Sequence, residues 1–177
     1  MAAGITVRPA TEADAGAIVE LFAAVVAEGR WLGAEGPVDR AEHLERVGAD
    51  LAEPDRSARL VAVAGDRIVG QVRVGRSSFG VADLSMYVAA GWRRRGVGAA
   101  LVEAALRAAG DLAAHKVALQ AWPDNEAALA LYTRFGFTTE GSLRRHYRRR
   151  NGELWDAVVM GLVLDDGSPG GPRPSPP

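Results

Sequence analysis

The most informative part of the sequence is residues 84–109, which read Leu84-Ser-Met-Tyr-Val88, Ala-Ala-Gly-Trp, Arg93-Arg-Arg-Gly-Val-Gly98, then an alanine-rich run to Ala109. The pattern is typical of a strand, a turn with glycines and a helix. Glycines at positions 96 and 98 let backbone N–H groups approach an anion closely. The helix start adds unpaired N–H donors and a partial positive charge of about half a unit. We therefore expect a pyrophosphate-binding turn, with three arginines at its rim.

The spacing excludes two other kinds of phosphate loop. No Gly-Lys-Ser/Thr follows Gly96, so the turn is not a P-loop, and a dinucleotide fingerprint would need a third glycine where Leu101 stands. By itself, the short Arg-x-x-Gly-x-Gly pattern is equally compatible with solvated arginines beside a helix start. The function therefore depends on what the rest of the chain adds.

Strand-like and helix-like segments alternate on both sides of this stretch. The periodicity predicts strands over 5–8, 59–64, 68–76, 81–88, 117–122, 137–143 and 154–164, and helices over 11–28, 39–53, 97–109 and 125–134. Thr11 and Asp14 form a capping-box pattern, and Gly110 is expected to end the third helix. This order predicts an α+β protein with three layers (α/β/α) and a mixed central sheet.

The composition bounds the number of domains. The chain has 177 residues, of which 48% are hydrophobic and 24% charged, so we expect a single domain over residues 1–164. Residues 165–177 are rich in Gly, Pro and Ser and are expected to form a disordered tail. Lys plus Arg number 21 and Asp plus Glu 22, so the net charge of −1 argues against binding to nucleic acid or an anionic membrane. The N-terminal segment predicts neither a signal peptide nor a membrane span, which favours the cytoplasm.

Cysteine and histidine usage excludes further chemistry. The chain has no cysteine, so it has no disulfide, no thiolate metal site and no acyl-cysteine intermediate. His43, His115 and His146 are too far apart for a zinc pattern, and we expect no metal. The arginine-rich segment 144–150 surrounds one aromatic, Tyr147, and is interpreted as a solvated turn between the last two strands.

A second segment makes the sequence more specific: Ala121-Trp-Pro-Asp-Asn125-Glu-Ala-Ala-Leu-Ala-Leu-Tyr132-Thr-Arg-Phe-Gly-Phe137. Together with the glycine turn, it resembles the GCN5-related N-acetyltransferase (GNAT) superfamily, and the similarity runs from Arg8 to Leu162. The resemblance implies the acyl-CoA N-acyltransferase fold, with a central sheet splayed between strands 81–88 and 117–122. Residues 140–156 look like the bacterial branch that includes amino-acid and phosphinothricin-type acetyltransferases and ribosomal-protein amino-terminal acetyltransferases.

The resemblance implies acetyl-CoA as co-substrate and assigns residues to it. The implied pyrophosphate ligands are Arg93, Arg94, Arg95, Gly96, Val97, Gly98 and Ala99. The backbone of Met86, Tyr87 and Val88 would pair with the pantetheine arm like an added strand, and the Val88 N–H would stabilise the oxyanion. Asn125 would hold the chain beside the cofactor, and Tyr132 would place its hydroxyl near the CoA sulfur. Part of the arginine-rich segment could bind an acidic acceptor or the 3′-phosphate of CoA.

The catalytic residues implied are an acid and a base for direct transfer to a primary amine. Tyr132 is the expected acid, although it could be only a packed helix aromatic. Asp83 is the expected base, although alternation equally allows an exposed polar residue on a half-buried strand. Glu28 and Glu35 are rival carboxylates in the region that shapes the acceptor site, where Trp31 could line the pocket or merely cover the core.

The expected function is N-acetylation of a small-molecule amine, such as an amino acid or its analogue, with no nucleic-acid or membrane partner and with a homodimer left open. This hypothesis predicts an enclosed pocket beside Asp83 and Trp31. Acetylation of a protein or peptide, at an amino terminus or a lysine, predicts an open groove instead. The third alternative is a CoA-binding module without turnover.

Overall fold

The computed structural model describes residues 4–77 and 79–164, so the predicted tail 165–177 lies outside the described residues. The described chain forms β1 (Ile5–Pro9), α1 (Ala15–Ala27), α2 (Arg40–Ala52), β2 (Ser57–Ala64), β3 (Arg67–Arg76), β4 (Val81–Val88), α3 (Val97–Asp111), β5 (Lys116–Ala121), α4 (Glu126–Arg134), β6 (Thr138–Arg148) and β7 (Leu154–Val163). Short 3₁₀ turns precede α1 (Glu12–Asp14) and follow β4 (Ala90–Trp92).

The strands form one mixed sheet in the order β1-β2-β3-β4-β5-β7-β6. β4 and β5 pair in parallel, and the other neighbouring strands pair antiparallel. The parallel pair lies in the middle of the sheet, and α3, the crossover between its two strands, packs back on the sheet. This crossover places the glycine turn and the start of α3 at the end of β4.

Each face of the sheet buries a separate apolar core. Val61 of β2 packs with Ile18 of α1 and Val47 of α2, whereas its neighbour Ala62 packs with the α3 residue Leu101. The change of face between consecutive residues follows the period of two along a strand. The helices therefore lie on both faces, and the predicted three-layer α+β architecture is confirmed.

Two local predictions have different outcomes. Asp14 Oδ2 accepts hydrogen bonds from the backbone N–H and the hydroxyl of Thr11, at 2.7 and 2.9 Å, so the capping box is confirmed. The prediction that Gly110 ends the third helix is wrong, because α3 continues through Gly110 to Asp111. The left-handed residue after this helix is Ala113, with a φ of 53°, whose N–H bonds to the carbonyl of Gly110 at 2.8 Å.

Candidate active site

A cleft opens where β4 and β5 separate. Their parallel pairing ends at Asp83 and Ala118, whereas β4 stays paired with β3 as far as Val88 and β5 stays paired with β7 as far as Ala121. The two strands therefore diverge in the middle of the sheet. The resulting cleft has a volume of about 820 Å³, within the range of small-molecule and cofactor sites.

The backbone of β4 presents free polar groups to this cleft. Ala89 N–H donates to the carbonyl of Val69 at 2.9 Å, which fixes the direction of its amide toward β3. Because amide direction alternates along a strand, the N–H and C=O groups of Met86 and Val88 face the cleft. The Val88 carbonyl accepts a hydrogen bond from Arg93 Nε at 3.0 Å, so its N–H is the group left for a ligand.

The glycine turn narrows one end of the cleft. Gly96 has a φ of 84°, a conformation that favours glycine, and α3 begins at the next residue. A Cβ added at Gly98 would lie 3.1 Å from Leu131 Cδ2 and 3.3 Å from Met86 Cε, which is tighter than ordinary contact. The first turn of α3 therefore presents N–H donors without helical partners beside a glycine that has no room for a larger side chain. Such a cradle fits a pyrophosphate.

Tyr132 brings a phenol to the cleft from α4. Its side chain is buried against Phe137, with ring centroids 5.6 Å apart, and it also lines the cleft. Burial raises the pKa of the Tyr132 hydroxyl well above its usual range, so the group stays protonated at neutral pH. Asn125 precedes the first residue of the same helix, and its Oδ1 accepts a hydrogen bond from Ala128 N–H at 3.2 Å. A buried, neutral hydroxyl can donate a proton to a leaving group.

Glu28, Trp31 and Arg93 meet at the opposite wall of the cleft. Arg93 Nη1 and Nη2 each lie 2.6 Å from a Glu28 oxygen, and Trp31 Nε1 donates to Glu28 Oε2 at 2.7 Å. The hydrogen bonds from Arg93 hold the pKa of Glu28 below its usual range. Glu28 is therefore a weak base that fixes the Trp31 ring, and Arg93 is engaged with Glu28 and Val88.

Arg149 contacts the loop between α1 and α2, which also contains Trp31. It is only 4% exposed, lies 4.2 Å from the ring centroid of Trp155, and donates to the carbonyls of Leu32 and Gly33 at 3.3 and 3.1 Å. Its Nε lies 3.3 Å from Glu35. The interpretation of segment 144–150 as a solvated turn is therefore wrong. Residues 144–148 belong to β6, and Arg149 is buried against the Trp122 and Trp155 rings and the carboxylate of Glu35.

Most of the residues assigned by resemblance lie along the cleft. Those that line it are Trp31, Met86, Tyr87, Val88, Arg93, Arg94, Gly96, Gly98, Ala99, Asn125 and Tyr132. Two of the turn residues do not: Arg95 lies over the Trp92 ring at 4.4 Å, and the Val97 side chain is 1% exposed in the core. Glu28 and Glu35 lie behind the wall, each paired with an arginine.

Asp83 is not part of this cleft. It lines a second cavity of about 310 Å³, whereas Ser85, two residues further along β4, lines the cleft. Alternation places both side chains on the face of the sheet that carries α1 and α2. The expected pocket beside both Asp83 and Trp31 is therefore not formed, because the two residues line different cavities.

Three lining residues were not singled out in the sequence. Tyr147 Oη donates to Gln120 Oε1 at 2.6 Å, and the Tyr147 and Trp122 rings meet edge to face at 4.9 Å. All three line the cleft on the β5 side. Gln120 could have been identified in the sequence, because it is a polar residue within an apolar strand. Tyr147 could not, because the arginines around it made the segment look solvated.

Two features are absent from residues 4–77 and 79–164. No helix in this part of the chain has the length and apolarity to cross a bilayer. No group of three or more His, Asp or Glu side chains in residues 4–77 and 79–164 is arranged to hold a metal ion.

Comparison with known proteins gives one family match. Residues 26–137 match the model of the acetyltransferase (GNAT) family. The chain is also 33% identical over 120 residues to the L-amino acid N-acetyltransferase AaaT of Escherichia coli K12, an alignment that covers 64% of this chain and 72% of that protein.

Solved structures share the fold over almost the whole described chain. The ribosomal-protein-alanine N-acetyltransferase of Brucella melitensis superposes with a TM-score of 0.82 at 25% identity, covering 90% of this chain and 99% of its own. A phosphinothricin acetyltransferase of Sinorhizobium meliloti, solved in complex with AcCoA, has a TM-score of 0.83 at 21% identity, covering 97% and 94%. The Salmonella typhimurium protein yncA, solved with its cofactor acetyl-CoA, has a TM-score of 0.82 at 24% identity, covering 92% and 95%.

Proposed function

Because this chain belongs to the acetyltransferase (GNAT) family, we propose that it moves the acetyl group of acetyl-CoA to the primary amine of a small molecule, an amino acid or an amino-acid analogue. Family membership itself makes the chain an N-acetyltransferase with acetyl-CoA as co-substrate. The size and type of the acceptor are what we infer beyond it.

The proposal of a small acceptor rests on the loop between α1 and α2, which is held at its start and at its middle. Arg93 binds its start through Glu28, and Arg149 binds its middle through Leu32, Gly33 and Glu35. Trp31, Leu32 and Gly33 line the cleft between these two attachments. A wall fixed in this way favours an enclosed acceptor pocket over an open groove for a polypeptide. The resemblance to an L-amino acid N-acetyltransferase supports the same acceptor class.

The co-substrate would lie along the free edge of β4. The backbone of Met86 and Val88 would bind the pantetheine arm as an added strand, and N–H groups from Gly96 to Ala99 would bind the pyrophosphate. Arg94 lines the cleft beside this turn and is the cation best placed to contact a phosphate. Asn125 and Tyr132 would bound the arm from the α4 side.

The reaction balances without a covalent intermediate on the protein. The amine nitrogen bonds to the acetyl carbonyl carbon, the carbon–sulfur bond breaks, and the amine loses one proton. The Val88 N–H would donate to the carbonyl oxygen as its negative charge develops. Tyr132 Oη would donate a proton to the departing sulfur. The amine would release its proton to solvent in the cleft, because Asp83 lines the second cavity and stands five residues, roughly 16 Å, along β4 from Val88.

Release of free CoA thiol from acetyl-CoA tests this function directly. The acceptor panel contains amino acids, amino-acid analogues, polyamines, and peptides with a free amino terminus or a lysine, with an amine-free blank. The protein itself contributes no thiol, because it has no cysteine. We expect turnover with amino acids or their analogues well above that with peptides. Turnover restricted to peptides would overturn the small acceptor, and tight acetyl-CoA binding with no turnover on the panel would favour a non-catalytic CoA binder.

A further inference from the structure

A cluster of buried polar atoms lies on the face of the sheet that carries α1 and α2. Within residues 4–77 and 79–164, none of its four atoms has a hydrogen-bond partner: His43 Nε2, Arg59 Nε, Gln71 Nε2 and Tyr87 Oη. His43, Arg59 and Gln71 are 7%, 8% and 1% exposed, so bulk solvent does not supply the partners. Leaving a buried polar group unpaired is costly, and folded proteins rarely do so at several neighbouring groups. We therefore expect the polar cluster to share a bound partner.

Contacts along the sheet show that the four side chains are neighbours. Gln71 of β3 is directly opposite Tyr87 of β4, which places their Cβ atoms about 5 Å apart. Arg59 Nη1 donates a hydrogen bond to Gln71 Oε1 at 3.0 Å. The centroid of the Phe22 ring lies 5.6 Å from that of Tyr87 and 3.9 Å from that of His43. His43 therefore covers, from α2, the part of the sheet where the other three side chains meet.

All four atoms of the polar cluster can donate a hydrogen bond. Arg59 Nε and Gln71 Nε2 always carry hydrogen, and burial raises the pKa of the Tyr87 hydroxyl, which stays protonated. Burial lowers the pKa of His43 to about 4, so its ring is neutral at pH 7. Arg46 Nη2 lies 3.2 Å from His43 Nδ1, and a guanidinium only donates, so the ring hydrogen is on Nε2. The shared partner is therefore an acceptor.

The charges around the polar cluster favour an anion over a water molecule. Arg59 and Arg73 both pair with Asp50, so two guanidiniums share one carboxylate and this group carries a net charge of +1. A water molecule would also bring two hydrogens of its own to a place that is short of acceptors. A halide ion accepts several hydrogen bonds, donates none and offsets the excess charge. Because the four atoms are closed to solvent, the anion must be small.

We propose that the fold binds a chloride ion between α2 and the middle of the sheet, held by the four donors of the polar cluster. The site is separate from the acetyl transfer and does not depend on the acceptor proposed above. It adjoins the cleft through Tyr87, which lines the cleft and precedes Val88. The bound ion would fix the Tyr87 ring behind the backbone that faces the co-substrate.

Thermal unfolding at constant ionic strength tests the site. The protein is first dialysed free of halide at neutral pH, and chloride or bromide then replaces gluconate, which is too large for a buried site. We expect Tm to rise by about 3 °C and to level off as the site fills, because a ligand that binds only the folded state stabilises it by mass action. A Tm that is the same in gluconate, chloride and bromide would overturn the proposal.

Three variants separate binding of the ion from general effects of the salts. Gln71→Glu keeps the shape of the side chain and supplies an internal negative charge, so the dependence of Tm on chloride should disappear. Tyr87→Phe removes one donor and should weaken the apparent chloride affinity by about tenfold. Tyr147→Phe removes a hydroxyl that bonds to Gln120 on the β5 side of the cleft and should keep the wild-type dependence. An undiminished dependence in Gln71→Glu would contradict the site.

Bromide locates the ion directly, because it scatters X-rays anomalously. In crystals grown from bromide, an anomalous peak within hydrogen-bond distance of Arg59 Nε and Gln71 Nε2 would support the proposal. A water molecule at the same position, without anomalous signal, would overturn it.

Discussion

At the scale of single residues, Gly98 stands where the start of α3, β4 and α4 approach one another. A Cβ added at Gly98 would lie only 3.1 Å from Leu131 and 3.3 Å from Met86. Gly98→Asp would place both a carbon atom and a negative charge in the space proposed for the pyrophosphate. We expect acetyl-CoA affinity to fall by at least about 100-fold, measured by calorimetry, because the phosphates would face an anion of like charge.

A matched control for this variant lies on the same helix. Gly110→Asp adds the same charge to α3 at an exposed position where a Cβ meets nothing within 4 Å. Its acetyl-CoA affinity should equal that of the wild type. Equal affinity of the two variants would contradict the assignment of the glycine turn to the pyrophosphate.

Tyr132→Phe removes only the hydroxyl group and so tests whether Tyr132 is the proton donor. The ring packs on Phe137, and the hydroxyl has no hydrogen-bond partner among the described residues, so the fold should tolerate the change. We expect kcat to fall by about 100-fold, with acetyl-CoA affinity within about threefold of the wild type, because proton donation to the sulfur matters only in the transition state. Parallel losses in kcat and in acetyl-CoA affinity would make Tyr132 a binding residue instead.

The sequence alone identified the residues of the motif but not the residues that they contact in the fold. The spacing of Arg93, Gly96 and Gly98 is local, so it could be recognised without knowing the fold. The pairing of Arg93 with Glu28 joins residues 65 positions apart, and the sequence contains no local signal for it. The position of Asp83 outside the cleft follows from where β4 and β5 stop pairing, which is a property of two strands and not of one.

At the scale of elements, the loop between α1 and α2 takes its position from β6 and β7. Arg149 is buried between this loop and Trp155, and it pairs with Glu35. Removing one partner of a buried ion pair leaves the other without compensation. Arg149→Gln should therefore lower the free energy of unfolding by about 3 kcal/mol in denaturant titrations.

The same substitution should affect the two substrates differently. The acceptor wall would lose the attachments that Arg149 makes to Leu32, Gly33 and Glu35, so we expect KM for the amine to rise several-fold while acetyl-CoA affinity stays unchanged. Arg148→Gln, at an exposed neighbour, should change neither. A loss of acetyl-CoA affinity in Arg149→Gln with unchanged KM for the amine would place Arg149 at the co-substrate instead.

Element boundaries were largely predictable, and the contacts between elements were not. Alternation predicted β4 to the residue, because its buried face is continuous from Ala82 to Val88. Gly110 was expected to end α3, but the helix continues to Asp111, and the left-handed conformation is adopted by Ala113, two residues beyond the helix end. The tertiary environment of the segment after α3 outweighed the local preference of glycine.

At the scale of the whole molecule, the two apolar cores differ in how they respond to acid. The core under α3 is apolar, whereas the region under α2 includes the buried His43, stacked on Phe22 at 3.9 Å between ring centroids. Burial, with Arg46 and Arg59 nearby, lowers the pKa of His43 to about 4, and Asp50 opposes the shift. The folded state therefore keeps this imidazole neutral where the unfolded chain, with a pKa near 6.5, already takes up a proton.

The sign of the stability change follows from that difference. Above pH 6.5 His43 is neutral in both states; as the pH falls toward 4 the unfolded state binds the extra proton, so unfolding becomes easier by about 3 kcal/mol in total. The carboxyls of Asp14 and Asp50, whose pKa values are lowered by arginine hydrogen bonds, lose their contribution at lower pH, below their unfolded pKa of 3.8. Denaturant titrations between pH 7 and 4 should show this slope in wild type and in His146→Gln, an exposed histidine, and a much flatter curve in His43→Gln. If the dependence of unfolding free energy on pH is unchanged in His43→Gln, the acid sensitivity belongs to other groups. The side of the sheet that packs on α2 would then depend for its stability on the ion pairs of Asp50.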